Sequence, residues 1–156
     1  MHTFRTGEFK DFTVEQAMLR NAPRLYEIMK WAREENLPRL KYAVQDFDIL
    51  RRKLRHALIT AHCAQRDCHQ HPCSMTFPVD REGWCRPSPY SWCNKHGPSE
   101  KRKISQKYAI HFDVIMLMKT DAEKGIIFKE LRIAFGIKPG TRITNEFAHR
   151  FFANLD

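Results

Sequence analysis

Apolar residues return every three or four positions through much of this chain, and that spacing predicts helices. The exception comes first. Residues 3–12 alternate loosely around Gly7, which predicts a small hairpin turning at that glycine. Thr13-x-x-Gln16 then reads as a capping box opening a helix with Val14, Ala17, Met18 and Leu19 on its apolar side. Asn21-Ala22-Pro23 predicts a break, because proline lacks a donor and disfavours helix in the residue before it. A second helix is expected from Pro23 to about Asn36, burying Leu25, Ile28, Met29 and Trp31-Ala32. A third is expected over 39–61, where Leu40, Val44, Phe47, Leu50, Leu54, Ala57 and Leu58 form one face.

The pattern lapses between 61 and 98 and resumes beyond Pro98. Ile104, Tyr108, Phe112, Ile115 and Met118 make a stripe that predicts a helix over 101–119. Thr120-x-x-Glu123 is a further capping box, starting a helix through Ile127, Leu131 and Ala134 that stops at Gly136. After a turn at Lys138-Pro139-Gly140, the last helix is placed at about 144–154, burying Phe147, Phe151 and Leu155. The turn near 136–143 has the outline of a helix-turn-helix, but the spacing of Ala134, Gly136 and Ile143 fits the DNA-reading motif poorly. The expected fold is mainly α, a helical domain with a small N-terminal hairpin and an inserted zinc-ribbon-like segment. Its parts are 1–60, 61–98 and 99–156, together one compact unit.

The lapse coincides with the strongest chemical signal. All five cysteines and four of the eight histidines fall within 61–98. Cys68-x-x-His71 and Cys93-x-x-His96 share a spacing that lets a tight turn aim two ligands at one ion. About twenty residues between the pairs suit a short hairpin, the usual filling of a zinc ribbon. Cys73 offers the alternative pair Cys68-x4-Cys73, and Cys63 offers Cys63-x4-Cys68. Cys68, Cys93 and His96, completed by His71 or Cys73, are therefore the expected ligands, and zinc is the expected metal because tetrahedral sulfur and imidazole sets favour it. Cys63 is set aside at the end of a predicted helix. An odd cysteine count without a signal-like N-terminus argues against a disulfide framework.

Charge adds a partner. The formal net charge is +9, from 27 Lys+Arg against 18 Asp+Glu. Arg51, Arg52 and Arg55 lie on the third predicted helix, and Lys101, Arg102 and Lys103 follow the cysteine-rich segment. Two basic clusters flanking a metal module predict a surface that tracks nucleic-acid phosphates. No apolar run reaches the eighteen or so residues a membrane span needs, so a soluble, cytoplasmic protein is expected. The aspartates Asp46, Asp48, Asp67, Asp80 and Asp113 are scattered, which argues against a metal-dependent nuclease or hydrolase.

One stretch carries a resemblance. Thr3-Phe4-x-x-Gly7-x-Phe9-Lys10-x-x-Thr13-x-Glu15-x-Ala17, followed by Asn21-Ala22-Pro23-x-x-Tyr26-x-x-Met29-x-Trp31, resembles the small C-terminal module of exodeoxyribonuclease X. It is also similar to a stand-alone family described as quorum-sensing-regulated virulence factors. The family pattern is a Phe-Gly-x-x-Lys-Gly-x-Thr opening followed by Asp-Pro-x-Tyr-Leu-x-Trp. In some relatives a cysteine ribbon follows, ending in a Tyr-x-Trp-Cys-like turn, a place taken here by Tyr90-Ser91-Trp92-Cys93. Arg5 and Asp11 replace two glycines of the pattern, and Leu25-Tyr26 reverses its Tyr-Leu order. The match covers about thirty residues and does not include a nuclease domain. It implies a nucleic-acid-associated accessory module and supplies no catalytic residues.

The expected function is a non-enzymatic zinc protein contacting nucleic acid, as an accessory or subunit of a nucleic-acid-handling complex with other proteins. Small basic subunits of RNA-guided complexes from mobile elements share this profile by analogy. The alternatives are a zinc-containing protein-interaction or regulatory protein, which an exposed Phe147/Phe151/Phe152 patch would favour, and a nuclease or hydrolase.

Overall fold

A computed structural model of the chain describes residues 1–57, 59, 61–98 and 104–155. Two compact units emerge: Met1–Ala57 together with Gly140–Asp156, and Leu58–Pro139. The sequence reading kept 99–156 together, whereas here the segment up to Pro139 groups with the cysteine-rich stretch and the last helix groups with the N-terminal half.

The first unit begins with the expected reversal. Phe4 N–H donates to the Phe12 carbonyl at 2.9 Å, Asp11 N–H donates to the Phe4 carbonyl at 2.8 Å, and Thr3 bridges Thr13. Gly7, at φ +81°, makes the turn, a conformation that a side chain would strain. Helix α1 follows at Val14–Glu34. Thr13 caps it, its hydroxyl accepting from Gln16 N–H at 3.2 Å. The box is only half made, because Gln16 Nε2 reaches away to donate to the Ile143 carbonyl at 3.0 Å. The predicted break appears as a kink: Asn21 leaves helical geometry and its side-chain oxygen accepts from Arg24 N–H, capping the second stretch.

Within α1, Leu25, Met29 and Ala32 are buried as expected, but Trp31 is 46% exposed. It stands roughly a third of a turn from that stripe, so the helix that buries Ala32 carries Trp31 outward. Helix α2 spans Lys41–His56, shorter than the predicted 39–61. A 3₁₀ turn at Pro38–Leu40 precedes it, and Ala57 ends it in an extended conformation. Lys53, Arg55 and His56 in its last turn suit the negative end of the helix dipole. Phe47, Leu50 and Leu54 are buried, and Phe47 meets Tyr26 edge-on at 4.8 Å between centroids.

The last helix of the chain, Asn145–Ala153, packs on α1 through Ala148 and Phe152. The sequence reading assigned its buried face to Phe147, Phe151 and Leu155. Those three are only half-buried, because the buried face of the helix is the one that carries Ala148 and Phe152. Lys53 Nζ donates to the Phe152 carbonyl at 3.3 Å, satisfying one of that helix's orphan acceptors.

The second unit is built on a three-stranded antiparallel sheet of order β2-β1-β3, with β1 at Ser74–Thr76, β2 at Tyr90–Trp92 and β3 at Tyr108–Ala109. Strands β1 and β2 supply the hairpin expected between the ligand pairs. Trp92 is buried, and its indole N–H donates to Thr76 Oγ1 at 2.9 Å. Helix α3, Asp121–Ala134, lies beside a 3₁₀ segment at Phe112–Leu117. Phe112 centres the core here, edge-on to Phe128 and Phe135 at 5.8 and 5.6 Å.

The helix predicted over 101–119 does not form among the described residues. Ile104 bridges Pro78, Ser105 N–H donates to the Phe77 carbonyl at 2.8 Å, and β3 completes the sheet. Positions 104, 108 and 112 are four apart, which suits a strand's period of two as well as a helix. Positions 112, 115 and 118 are three apart, which is the 3₁₀ period. The stripe was thus a strand followed by a 3₁₀ turn. The mainly helical expectation holds for the first unit and for α3, while the second unit is mixed.

Candidate metal centre

Four side chains converge in the second unit. The ligand atoms of Cys63, Cys68, Cys93 and His96 all lie within 4.8 Å of one another. Cys93 Sγ is 3.3 Å from His96 Nδ1, Cys63 Sγ is 3.6 Å from the same nitrogen, and Cys68 Sγ is 3.9 Å from Cys93 Sγ. All five cysteines are free thiols.

Two loops deliver these groups. The first follows the early end of α2. Ala64 N–H donates to the Ser91 carbonyl at 2.6 Å, pinning the residue after Cys63 against β2. The chain then turns, with Cys68 N–H donating to the Gln65 carbonyl and Asp67 at φ +60°. The second loop leaves β2 directly, so Cys93 is fully buried beside Trp92 and His96 follows one turn later. Lys107 Nζ donates to the His96 carbonyl at 3.0 Å and holds that turn.

The electrostatics suit a cation. Burial pushes the Cys63 thiol up, but backbone hydrogen bonds from Cys93 and Gln65, with the side chains of His96 and Cys68, outweigh it and bring the thiol down to about 6. For Cys68, a backbone hydrogen bond from Gln70 favours the thiolate, yet burial and the neighbouring sulfurs of Cys63 and Cys93 push the thiol up. Gln65 and Gln70 each stand two residues after the cysteine they serve, so both turns offer amide support to a sulfur. A Cys68 thiol pushed up by the sulfurs beside it is the condition a bound cation relieves.

Of the ligands expected from sequence, Cys68, Cys93 and His96 come together. His71 and Cys73 do not join them, and both are exposed. Cys73 opens the sheet ladder, its N–H donating to the Trp92 carbonyl at 2.9 Å, which fixes its backbone and turns its side chain outward. Cys63 takes the fourth corner. Its spacing to Cys68 was visible in the sequence, but the overlong α2 prediction placed it on a helix end. Cys85 is buried elsewhere, beside Glu123, in the turn that follows Asp80.

The predicted phosphate-binding residues fall in two places. Arg51, Arg52 and Arg55 lie on α2 in the first unit. Arg51 is half-buried over the rings of Tyr26 and Phe47, at 5.5 and 5.6 Å, and its guanidinium is 3.8 Å from Asp48. Arg52 and Arg55 are exposed. Lys101, Arg102 and Lys103 lie outside the described residues.

The aspartates are dispersed, each with a different partner. Asp46 accepts from the His2 backbone N–H, Asp48 pairs with Arg33, and Asp80 with Arg86 at 3.1 Å. Among the described residues, the Cys/His group is the one constellation of three or more potential ligands. No helix of the described residues is long and apolar enough to cross a membrane. No protein-family model, curated protein or solved structure matches the chain.

Proposed function

We propose that this is a non-enzymatic zinc protein that contacts nucleic acid, as an accessory or subunit of a nucleic-acid-handling complex. The observation that carries the metal is the convergence of Cys63, Cys68, Cys93 and His96. A tetrahedral zinc with bonds of about 2.3 Å to sulfur and about 2.0–2.1 Å to nitrogen has ligand–ligand edges of about 3.5–3.8 Å. The three separations of 3.3, 3.6 and 3.9 Å lie around that range. His96 would coordinate through Nδ1, the nitrogen facing the sulfurs, and keep its hydrogen on Nε2. Three thiolates and one imidazole close the shell, so the metal would join two loops and leave no position for a substrate. The segment would then be ribbon-like, with the β1–β2 hairpin between its ligand pairs.

The nucleic-acid part rests on the net charge of +9 and on exposed Arg52 and Arg55 in the last two turns of α2. The protein-interaction alternative gains nothing from the last helix, where Phe152 is buried and Phe147 and Phe151 stack on each other at 6.5 Å. Two measurements test the reading. Elemental analysis should find about one zinc per chain. A labelled duplex or single strand should bind with an affinity that falls steeply with salt. A metal-free protein with a native second unit would overturn the zinc part, and absence of binding to any oligonucleotide at low salt would overturn the nucleic-acid part.

A further inference from the structure

Two large aromatic side chains of the first unit face solvent without a function so far assigned. Trp31 is 46% exposed and Tyr42 is 68% exposed. Both line one groove of about 670 Å³ between the N-terminal turn, α1 and the start of α2. Its apolar lining includes Phe4, Phe9, Ile28 and Leu40. Its charged lining is unequal, with Arg5, Arg24 and Arg39 against Glu8 alone. Glu8 is already engaged, since Arg24 Nε donates to it at 3.1 Å. Arg24 also pairs with Glu27 at 3.0 Å, which leaves Arg5 and Arg39 as cations with no ion-pair partner among the described residues.

We propose that this groove binds a single-stranded nucleic acid, with bases stacked on Trp31 and Tyr42 and phosphates neutralised by Arg5 and Arg39. The inference rests on the nucleic-acid reading above and gives it a second site, separate from Arg52 and Arg55. The chemistry selects the occupant. Exposed aromatic faces beside unpaired arginines match a polyanion that carries flat apolar rings. A duplex keeps its bases stacked on one another, so only an unpaired strand can offer them to these side chains. Rigid placement favours stacking: Trp31 projects from α1 on the side away from buried Leu25 and Ala32, and Tyr42 sits one residue before buried Ala43 on α2. A proline-rich peptide also uses aromatic grooves, but it would leave the excess positive charge without a partner.

The test uses the full-length protein with fluorescein-labelled (dT)15 and (rU)15, a duplex of the same length, and a labelled proline-rich peptide, each titrated at several salt concentrations. Trp31→Ala and Tyr42→Ala should each weaken single-strand binding by about fivefold or more and leave duplex binding unchanged. Arg5→Ala with Arg39→Ala should flatten the single-strand salt dependence by about 0.7 per arginine. Both aromatic residues are exposed, so a melting temperature equal to wild type checks that each variant is folded. The (dT)15 and (rU)15 arms decide between DNA and RNA. Single-strand binding that depends on Arg52 and Arg55 but ignores Trp31 and Tyr42 would overturn this site and leave the nucleic-acid reading intact. Binding of the peptide in place of the oligonucleotides would overturn the site's assigned ligand, and failure of every oligonucleotide would remove both.

Discussion

Cys63 Sγ lies 3.6 Å from His96 Nδ1, although 33 residues separate them in the chain. Ala64 N–H, donating to the Ser91 carbonyl, holds the residue after Cys63 against β2, from which the His96 turn leaves. The contact sets the order of the first prediction. Cys63→Ser, Cys68→Ser, Cys93→Ser and His96→Ala should each lower zinc content well below one per chain. Cys73→Ser and His71→Ala should leave it unchanged, since both side chains point to solvent. Apparent zinc free energies of about 10–16 kcal/mol in small structural sites make ligand loss a folding defect of the second unit. Elemental analysis with thermal melts of all six variants checks this. A Cys73→Ser protein lacking metal would reassign the fourth ligand.

Metal uptake should depend on pH, with a sign set by the two shifted thiols. Cys63, held down at about 6, is largely thiolate at neutral pH, whereas Cys68 is held up by burial and by its neighbours' sulfurs. A metal ion must displace the Cys68 proton, so zinc affinity should rise as pH increases from about 6 to 8. In the metal-free protein, the depressed Cys63 group contributes stability that is fully present above its unfolded value near 9 and is lost as pH falls through about 6. The raised Cys68 group acts in the opposite sense, its contribution being present below 9 and lost as pH climbs through its folded value. Proton release on adding zinc in weak buffer should therefore accompany binding at pH 7. Zinc affinity that is flat from pH 6 to 8 would contradict the assignment.

How much of this could be read from sequence depends on the length over which a pattern persists. The α1 and α2 stripes run several turns, and Leu25, Met29, Ala32, Phe47, Leu50 and Leu54 are buried as expected, whereas Trp31 is exposed, Ile28, Leu40, Val44 and Ala57 are half-buried, and Leu58 lies outside the described residues. Thr120 and Glu123 form the full capping box their spacing predicts, whereas Thr13 and Gln16, with the same spacing, make half of one because Gln16 bonds the distant Ile143 carbonyl. Ile104 to Met118 misled because a two-residue strand and about two turns of 3₁₀ helix imitate a helical period when joined. The fourth member of the Cys/His group was hidden by a boundary error, since extending α2 from His56 to about residue 61 left Cys63 at the end of a helix. Cys73 looked eligible because spacing is silent on side-chain direction, which β1 decides by pairing with β2.

The arginines of α2 should separate into two behaviours. Arg51 is half-buried against Tyr26 and Phe47 and near Asp48, so Arg51→Ala should destabilise the first unit by about 1 kcal/mol through lost packing and cation–π contact. Arg52→Ala and Arg55→Ala should change stability by less than about 0.5 kcal/mol, as surface substitutions do. On nucleic acid, the double Arg52/Arg55 variant should flatten the log–log salt slope by about 1.4–1.8. Melting curves of the single variants and a salt titration of the double variant distinguish the roles.

Glu123 provides a last, two-sided prediction. Its Oε2 accepts from the backbone N–H groups of Lys119 and Thr120 at 3.2 and 3.3 Å, and Oε1 accepts from Cys85 N–H at 3.5 Å. One buried carboxylate therefore caps α3 and ties it to the Asp80–Cys85 turn. Thr120→Ala removes the partner cap and should cost about 1 kcal/mol. Glu123→Ala strands several donors at once and should cost more, about 2–4 kcal/mol, whereas Glu123→Gln keeps one of the two acceptor oxygens and should cost less. The same carboxylate acts on Cys85. Burial first, then the charge and hydrogen bond of Glu123, with Asp80, push that thiol up, so it should be among the last cysteines alkylated at pH 8. Removing the charge in Glu123→Gln should speed Cys85 alkylation even though the variant remains folded. Mass-spectrometric mapping of alkylation with time, beside the melting temperature of each variant, reads both effects. Equal Cys85 reactivity in wild type and Glu123→Gln would show that burial alone protects the thiol and that the carboxylate serves only as a cap.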